Sequence, residues 1–495
     1  MTRLEGHKNN RKGAWGHLGK KKDKEIKISF VDEPAAEDVT GSFVLVETPH
    51  HKIGLDCGLS QSNDKYLDFM TNNRKTKEFK PKDLDIIFLS HLHGDHCLLV
   101  PKYYKNGFRG ATVISQGSKG VFKAMAEDSA FISERDILVI NNQHNKNYDP
   151  LYSIEDVNLM MEHTIEKPIN QKIVIDEELA FEFIPSGHLL GGCQIILYIT
   201  IDGLTKSILY TGDIGNREIH NYFVGDYQPI NRFVDLAICE TTYGDRPDLK
   251  TGMKERNNDL DKLKSIIDTQ VHEMNGRLLI PSFAQSRVQQ LALMIYQLYK
   301  DEEWQPKVYI DSPLAITIFK EYEEILEGEE KELFNELLAW DKLIFVKESE
   351  ASKELVDSKE ACCIISTAGM CQVGRVRHHL KSLVPNPNAT ILFVGFSTPG
   401  SLATLLRDNK TKSITIDTKE YKCRCASYSL KSMSGHMPFG QMLQTYSDLN
   451  CNKIVLHHGS TEAKETFAKS LKKELEKKCK STRVVIANSS LKFNL

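Results

Sequence analysis

Leu84-Asp-Ile-Ile-Phe-Leu-Ser-His-Leu-His-Gly-Asp-His96 closes a short apolar run with three histidines and an aspartate inside six residues. The run from Leu84 to Leu89, opened by Pro81 and Asp83, reads as a buried strand that carries the polar cluster at its C-terminal end. Neutral imidazoles and a carboxylate are the donors a borderline cation such as Zn²⁺ takes, and crowded onto one loop they would repel or go unsatisfied without one. His91 and His93 alternate along extended backbone and can share one cation, whereas Asp95 and His96, at the start of a helix, suit a second beside it. Two cations with a water between them are a device for in-line displacement at phosphorus.

Further polar groups follow predicted strands in the same manner. These are Leu55-Asp-Cys-Gly58, Ser186-Gly-His188 after Phe181-Glu-Phe-Ile184, and Tyr210-Thr-Gly-Asp213 after the run Ile208 to Tyr210. Taken in order with the HxHxDH hexad, the set resembles the motifs of the metallo-β-lactamase superfamily. That resemblance implies that His188 joins His91 and His93 on the first metal, that Asp213 bridges both metals, and that Asp56 orients the metal loop from behind.

Composition bounds the rest. A length of 495 residues predicts two sizeable domains, one of which can be inserted in the other. A 40% hydrophobic and 26% charged chain fits a soluble globular protein, and no apolar run approaches the roughly 18 residues of a membrane span. With no signal-peptide core at the N-terminus, the cytoplasm is expected. Eleven cysteines without regular spacing fit a reducing compartment, and Cys362, Cys363, Cys423 and Cys425 read as small core residues in preference to metal ligands. A net charge of −3 gives no whole-molecule steering toward nucleic acid, so a polyanion site must be local. The exception is a basic, flexible tail over residues 1–25, rich in lysine, which either touches phosphates nonspecifically or serves only as a solubilising terminus.

From Ile26 to about Glu240 short β-rich runs alternate with helices, as an αββα sandwich requires. Ser118 to Asp128 reads as helix, and residues 141–170 as an irregular surface excursion. The character changes after Glu240. A long helix is expected from Lys254 to about Met274, followed by four apolar runs, each ending in a Ser-bearing turn that opens a helix: Leu278 to Ser282, Val308 to Ser312, Cys363 to Ser366 and Leu392 to Ser397. Such alternation predicts a parallel, doubly wound sheet that binds ligands at its C-terminal edge, where helix N-termini and hydroxyls accept phosphate oxygens. Ser282, Arg287, Ser312, Ser366, Gly369, Arg375 and Ser397 are the candidate phosphate-backbone contacts, against the alternative that these are ordinary capped turns.

Two histidines near the end, His436 in Ser434-Gly-His436 and His458 in His457-His-Gly459, each stand beside glycine. With Glu240 in Glu240-Thr-Thr-Tyr-Gly244, they resemble the three additional motifs of the β-CASP nucleases, a likeness that covers nearly the whole chain from about residue 28. Pro281-Ser-Phe-Ala-Gln-Ser-Arg287 and Ser366-Thr-Ala-Gly-Met370 add to it. With no appended domain expected after Leu495, the likeness is expected to be greatest to compact prokaryotic members. The implied organisation is a metallo-β-lactamase αββα sandwich over 26–245 and 422–495, with a doubly wound β-CASP domain inserted over 246–421.

The implied activity is that of a metal-dependent ribonuclease using a hydroxide activated by two metals and leaving 5′-phosphate and 3′-hydroxyl ends. Asp95, His96 and His458 would hold the second metal; Asp95, Glu240 and His436 would be catalytic, Glu240 orienting His436 as proton donor to the leaving oxygen. Two Zn²⁺ are expected as cofactors, with Mn²⁺ as the alternative, because the set holds no thiolate. RNA is the expected partner, and a homodimer is left open. The alternatives are a thioester or lactam hydrolase of the same fold, a DNA-directed nuclease and a silent binding subunit. Two departures stand out: Ser460 where relatives often carry an acidic residue, and the adjacent pair His457 and His458, of which His458 is taken as ligand.

Overall fold

A computed structural model describes residues 25–31, 39–62, 64–76, 78–249, 252–395, 397, 400–408, 411–489 and 491–495. The basic tail read over 1–25 lies, but for Glu25, outside the described residues. The chain divides into two compact units: the first takes Asp226–Leu249, His436–Leu495 and the described part of Met1–Gly215, and the second takes Asn216–Gly225 and the described part of Lys250–Gly435.

Among the described residues, unit one holds two seven-stranded sheets. The first is made by β1 (Lys27–Phe30), β2 (Val44–Glu47), β3 (Lys52–Leu55), β4 (Ile86–Phe88), β5 (Ala111–Ser115), β6 (Thr164–Lys167) and, from the far end of the chain, β22 (Lys492–Asn494), in the order β22-β1-β2-β3-β4-β5-β6. The second is made by β7 (Ile173–Val174), β8 (Leu179–Pro185), β9 (Cys193–Ile201), β10 (Leu204–Tyr210), β11 (Val234–Glu240), β20 (Cys451–His457) and β21 (Arg483–Ile486), in the order β21-β20-β11-β10-β9-β8-β7.

The apolar run Leu84 to Leu89 contains β4, paired in parallel with β3 and β5 and buried along its length, which is why it shows no polar alternation. Apolar side chains of both sheets meet in one core, with Phe88 4.7 Å from Phe181 between ring centres. Burying this face supplies the driving force, at about 25 cal/mol per Å².

Residues 141–170 correct the expectation of an irregular excursion. The helix begun at Lys119 runs to His144, a second helix covers Ile154–Glu162, and β6 adds to the sheet in parallel with β5. Ser153 and Asp156 form a capping box, and only Val157 and Met160 of that helix are buried, so its apolar stripe was too narrow to register as periodicity.

Unit two carries a sheet of β12 (Arg277–Pro281), β13 (Val308–Asp311), β14 (Leu343–Phe345), β15 (Cys362–Ser366), β16 (Ala389–Val394) and β19 (Ala426–Leu430), ordered β14-β13-β15-β12-β16-β19 and parallel throughout. Strand order reverses about β12, so right-handed crossovers place helices on both faces, as in a doubly wound sheet. A small antiparallel pair, β17 (Ser413–Ile416) and β18 (Lys419–Lys422), lies apart from it. The long helix runs Met253–Ile267 and continues with wider π turns over Asp268–Glu273. The boundary read at 421/422 falls before β19, which pairs with β16 inside this unit.

The idea that all four Ser-bearing turns open helices needs correction. Ser312 caps the helix Pro313–Ile325, accepting from the Ala315 amide, but the helices nearest Ser282 and Ser366 start only at Arg287 and Val376. After β16 the cap is Ser401, not Ser397. Hydroxyls at strand ends are common to both arrangements, so spacing alone did not separate them. Cys362 and Cys363 are buried in β15, and Cys423 and Cys425 pack against the same core.

Candidate metal centre

The site is built within unit one by strand ends and by the chain's last quarter. Asp56 leaves β3 at φ +59 and gathers four donors: the Ser90 amide at 2.7 Å, the Ser90 hydroxyl at 2.7 Å, His96 Nδ1 at 2.7 Å and the Tyr210 hydroxyl at 2.7 Å. A carboxylate that receives His96 Nδ1 fixes the tautomer and turns Nε2 outward. Gly58 is required by contact: a Cβ there would stand 1.6 Å from the Asp95 carbonyl oxygen, so the Leu55 to Gly58 segment can lie against the histidine loop only as glycine.

Among the described residues, four groups of donors lie close enough to hold a cation. One is His91, His93, His188 and Asp213; another is Asp95, His96 and His458; the remaining two are Asp56 with His91 and His96, and Asp213 with Glu240 and His436. His93 Nδ1 and His188 Nε2 are 3.1 Å apart, as are the Nε2 atoms of His96 and His458. Asp213 divides its oxygens between the first two groups. Its Oδ2 lies 3.5 Å from His91 and 3.6 Å from His188, and its Oδ1 3.4 Å from His96 and 3.3 Å from His458 Nδ1. Asp95 Oδ2 is 3.5 Å from His458 Nε2.

The donor chemistry fits divalent cations. His91 Nε2 and Asp213 Oδ1 are buried without a hydrogen-bond partner, which is costly unless an ion meets them. Burial, with the neighbouring histidines, holds His91 well below the ordinary imidazole range and so keeps it neutral, the form that binds metal. Burial pushes the Asp213 carboxyl up, against the pull of His458, His96 and His436.

Glu240, at the end of β11, is held in place by the amides of Ile214 at 3.1 Å and Thr242 at 2.9 Å, and its Oε1 lies 3.4 Å from His436 Nδ1. Burial works against its charge, but bonds from His436 and Thr242 lower it to about 2. Burial likewise opposes the charged form of His436, yet Asp213 and Glu240 prevail and raise it. A protonated imidazole carries a proton on each nitrogen, and a carboxylate on one of them favours that charged form, the form that donates a proton.

The structure thus brings together every metal and catalytic candidate named from the sequence. Of the pair at 457 and 458, His458 enters the cluster, while His457 packs against Phe30 and Tyr210. Ser460 serves instead as the cap of the helix Thr461–Lys477, accepting from the Ala463 amide. Sequence reading missed Tyr210 and Thr242, whose hydroxyl lies 3.2 Å from His458 Nδ1. The signal for Tyr210 was a tyrosine ending an apolar strand, since a buried phenol needs a partner.

The candidate RNA contacts all lie in unit two. Ser282 has a buried hydroxyl without a partner, and Gly369 packs on Ser282 and Phe283. Ser312 pairs with the Thr367 hydroxyl at 2.7 Å, and Ser366 donates to the Asp311 carbonyl at 2.8 Å. Arg375 binds Asp311 Oδ1 at 2.8 Å and the carbonyls of Val346 and Lys347; Arg287 is buried against Gln290; Ser397 is buried beyond β16.

Comparison with known proteins adds three domain families in chain order: the metallo-beta-lactamase superfamily over 36–108, the Beta-Casp domain over 288–406, and the Zn-dependent metallo-hydrolase RNA specificity domain over 420–482. "Ribonuclease TTHA0252" of Thermus thermophilus is 26% identical over 86% of this chain and 92% of its own length. An "RNase J-like protein" of Methanocaldococcus jannaschii is 27% identical over 88% of this chain and 93% of its own. The "Cleavage and polyadenylation specificity factor 73" of Drosophila melanogaster is 25% identical over 89% of this chain but 61% of its own. A crystal structure of a protein of unknown function from Enterococcus faecalis shares the fold at a TM-score of 0.52 and 12% identity, covering 95% of this chain and 100% of that one.

Proposed function

We propose, on the premise that this chain belongs to the β-CASP group of the metallo-β-lactamase superfamily, that it is a metal-dependent ribonuclease leaving 5′-phosphate and 3′-hydroxyl ends. The observation that carries the reading is Asp213, whose two oxygens each face a separate pair of histidines beside the Glu240 and His436 pair. His91, His93 and His188 would hold one cation, Asp95, His96 and His458 the other, with Asp213 shared. Nitrogen and oxygen donors without thiolate suit zinc, and manganese is the competitor. When bound, the two cations supply Lewis acidity that activates water at neutral pH and offsets charge on the phosphate.

The chain's own residues supply the rest. Asp56 orients His96, Thr242 orients His458, and Glu240 keeps His436 protonated and turned so that Nε2 can deliver a proton to the departing 3′-oxygen as the new oxygen–phosphorus bond forms. Among the proposed phosphate contacts Ser282 keeps an uncommitted hydroxyl, whereas the Arg375 guanidinium is already engaged with Asp311 and two carbonyls.

The test is metal analysis together with cleavage of a long RNA bearing a 5′-triphosphate or a 5′-monophosphate. Two equivalents of metal and RNA cleavage abolished by chelation are expected. Preference for the monophosphate end would mark a 5′-exonuclease, and indifference to it an endonuclease. Turnover of a chromogenic thioester without cleavage of RNA would overturn the reading.

A further inference from the structure

Arg256 is a buried cation placed where a helix disfavours one. It sits in the first turns of the helix Met253–Ile267, whose N-terminal dipole repels positive charge, and its Nε has no partner. Its Nη2 donates to Asn221 Oδ1 at 2.8 Å and to the Ser432 carbonyl at 3.1 Å, both neutral acceptors. Burial lowers its pKa to about 10, with Asp259 opposing, so it stays charged at pH 7. Asp259 in turn accepts the amides of Lys431 at 2.7 Å and Ser432 at 2.6 Å. An arrangement this costly needs a reason beyond stability, because an apolar side chain of similar volume would avoid the desolvation.

What the two acceptors share is their place in the chain. Asn221 follows Asp213 by eight residues, and Ser432 precedes His436 by four. The same two segments are tied again where the Met437 amide donates to the Ile214 carbonyl at 2.7 Å, and the Ile214 amide in turn holds Glu240. Met437, the residue after His436, makes one of these bonds, and Ser432, four residues before it, accepts the other.

We infer that Arg256 is a positioning residue for His436: by joining Asn221 to Ser432 it sets the stretch from which the imidazole is presented to the leaving oxygen. This rests on the proposed role of His436 as proton donor.

The test uses the full-length, metal-loaded protein and a short RNA with one scissile linkage, either ordinary or carrying sulfur in place of the 3′-bridging oxygen. A thiolate leaves without a proton, so loss of proton donation slows the ordinary linkage and spares the sulfur one. Arg256→Met is expected to keep wild-type metal content, to slow the ordinary linkage about tenfold at unchanged KM, and to slow the sulfur linkage less than about twofold. His436→Ala should show the same pattern more strongly, on the order of a hundredfold or more. The double variant should be no slower than His436→Ala alone, because residues that act as a unit are not additive.

Equal slowing of both linkages by Arg256→Met, or loss of metal, would overturn the inference. If Arg256→Met does not fold, Asp259→Ala, which frees Lys431 and Ser432, must give the same linkage pattern for the inference to stand. Wild-type protein that cleaves neither linkage, or His436→Ala that the sulfur linkage does not spare, would instead bring down the underlying assignment.

Discussion

Asp213 in unit one and Asp311 in unit two are the same residue type, equally buried at 2% and 0% exposure, and both stand at or just beyond the C-terminal end of a strand. Their surroundings differ. Asp311 receives Arg375 at 2.8 Å, His379 at 2.7 Å and Ser352 at 2.7 Å, so its charge is neutralised and hydrogen-bonded by the chain itself. Asp213 is ringed by imidazole nitrogens at 3.3 to 3.6 Å, and its Oδ1 has no hydrogen-bond partner. Burial works against both charges. Bonds from His379, Arg375 and Ser352 overcome it at Asp311 and lower its pKa, whereas the Asp213 carboxyl remains raised. A buried carboxylate closed by its own chain is architecture, and one left open among histidines calls for a cation from outside.

The largest effect expected from this contrast comes from Asp213→Ala. It should empty both metal positions and cut RNA cleavage by more than the roughly hundredfold that loss of an outer hydrogen-bond partner costs a metal site. Retention of two metal equivalents by mass spectrometry would break the comparison from the unit-one side.

Asp311→Ala should act on stability instead. Removing one partner of a buried ion pair costs about 3–5 kcal/mol, measured as a fall in the denaturant midpoint, while metal content per folded protein stays at the wild-type value. Loss of metal in this variant would show that the two carboxylates are not independent.

Asp56→Asn sharpens the contrast within unit one, because Asp56 is closed like Asp311 yet serves the metal loop. It should weaken metal affinity by about ten- to a hundredfold, read by competition with a chelator, with a smaller change in stability.

The smallest effect is in acid. Asp311 has a folded pKa below its unfolded value, so its stabilisation is present above the unfolded value near about 3.9 and is lost as pH falls through the lowered folded one. The stability gap between wild type and Asp311→Asn should stay constant from pH 7 to about 5 and close only below about 4. A gap that closed between pH 7 and 5 would contradict the assignment.

Legibility in the sequence followed the range of the interactions. His91, His93, Asp95 and His96 could be read because their spacing sits on one loop, and β4 before them because a strand buried on both faces is apolar throughout. The helix Ile154–Glu162 was missed because two buried side chains leave little periodic trace. Arg375 read as a candidate RNA contact, for nothing local to it points to Asp311, 64 positions away.

By itself the sequence determined which side chains could bind metal, the order of strands that carry them, and the alternation that makes a parallel sheet, all properties of neighbours along the chain. Only the tertiary structure decided that Tyr210 meets Asp56 across 154 positions, that Thr242 rather than a nearer group meets His458 across 216, and which of two buried aspartates is left open. Whether a buried charge is satisfied depends on what folding brings within hydrogen-bond reach, and that distance is not written in the spacing of residues.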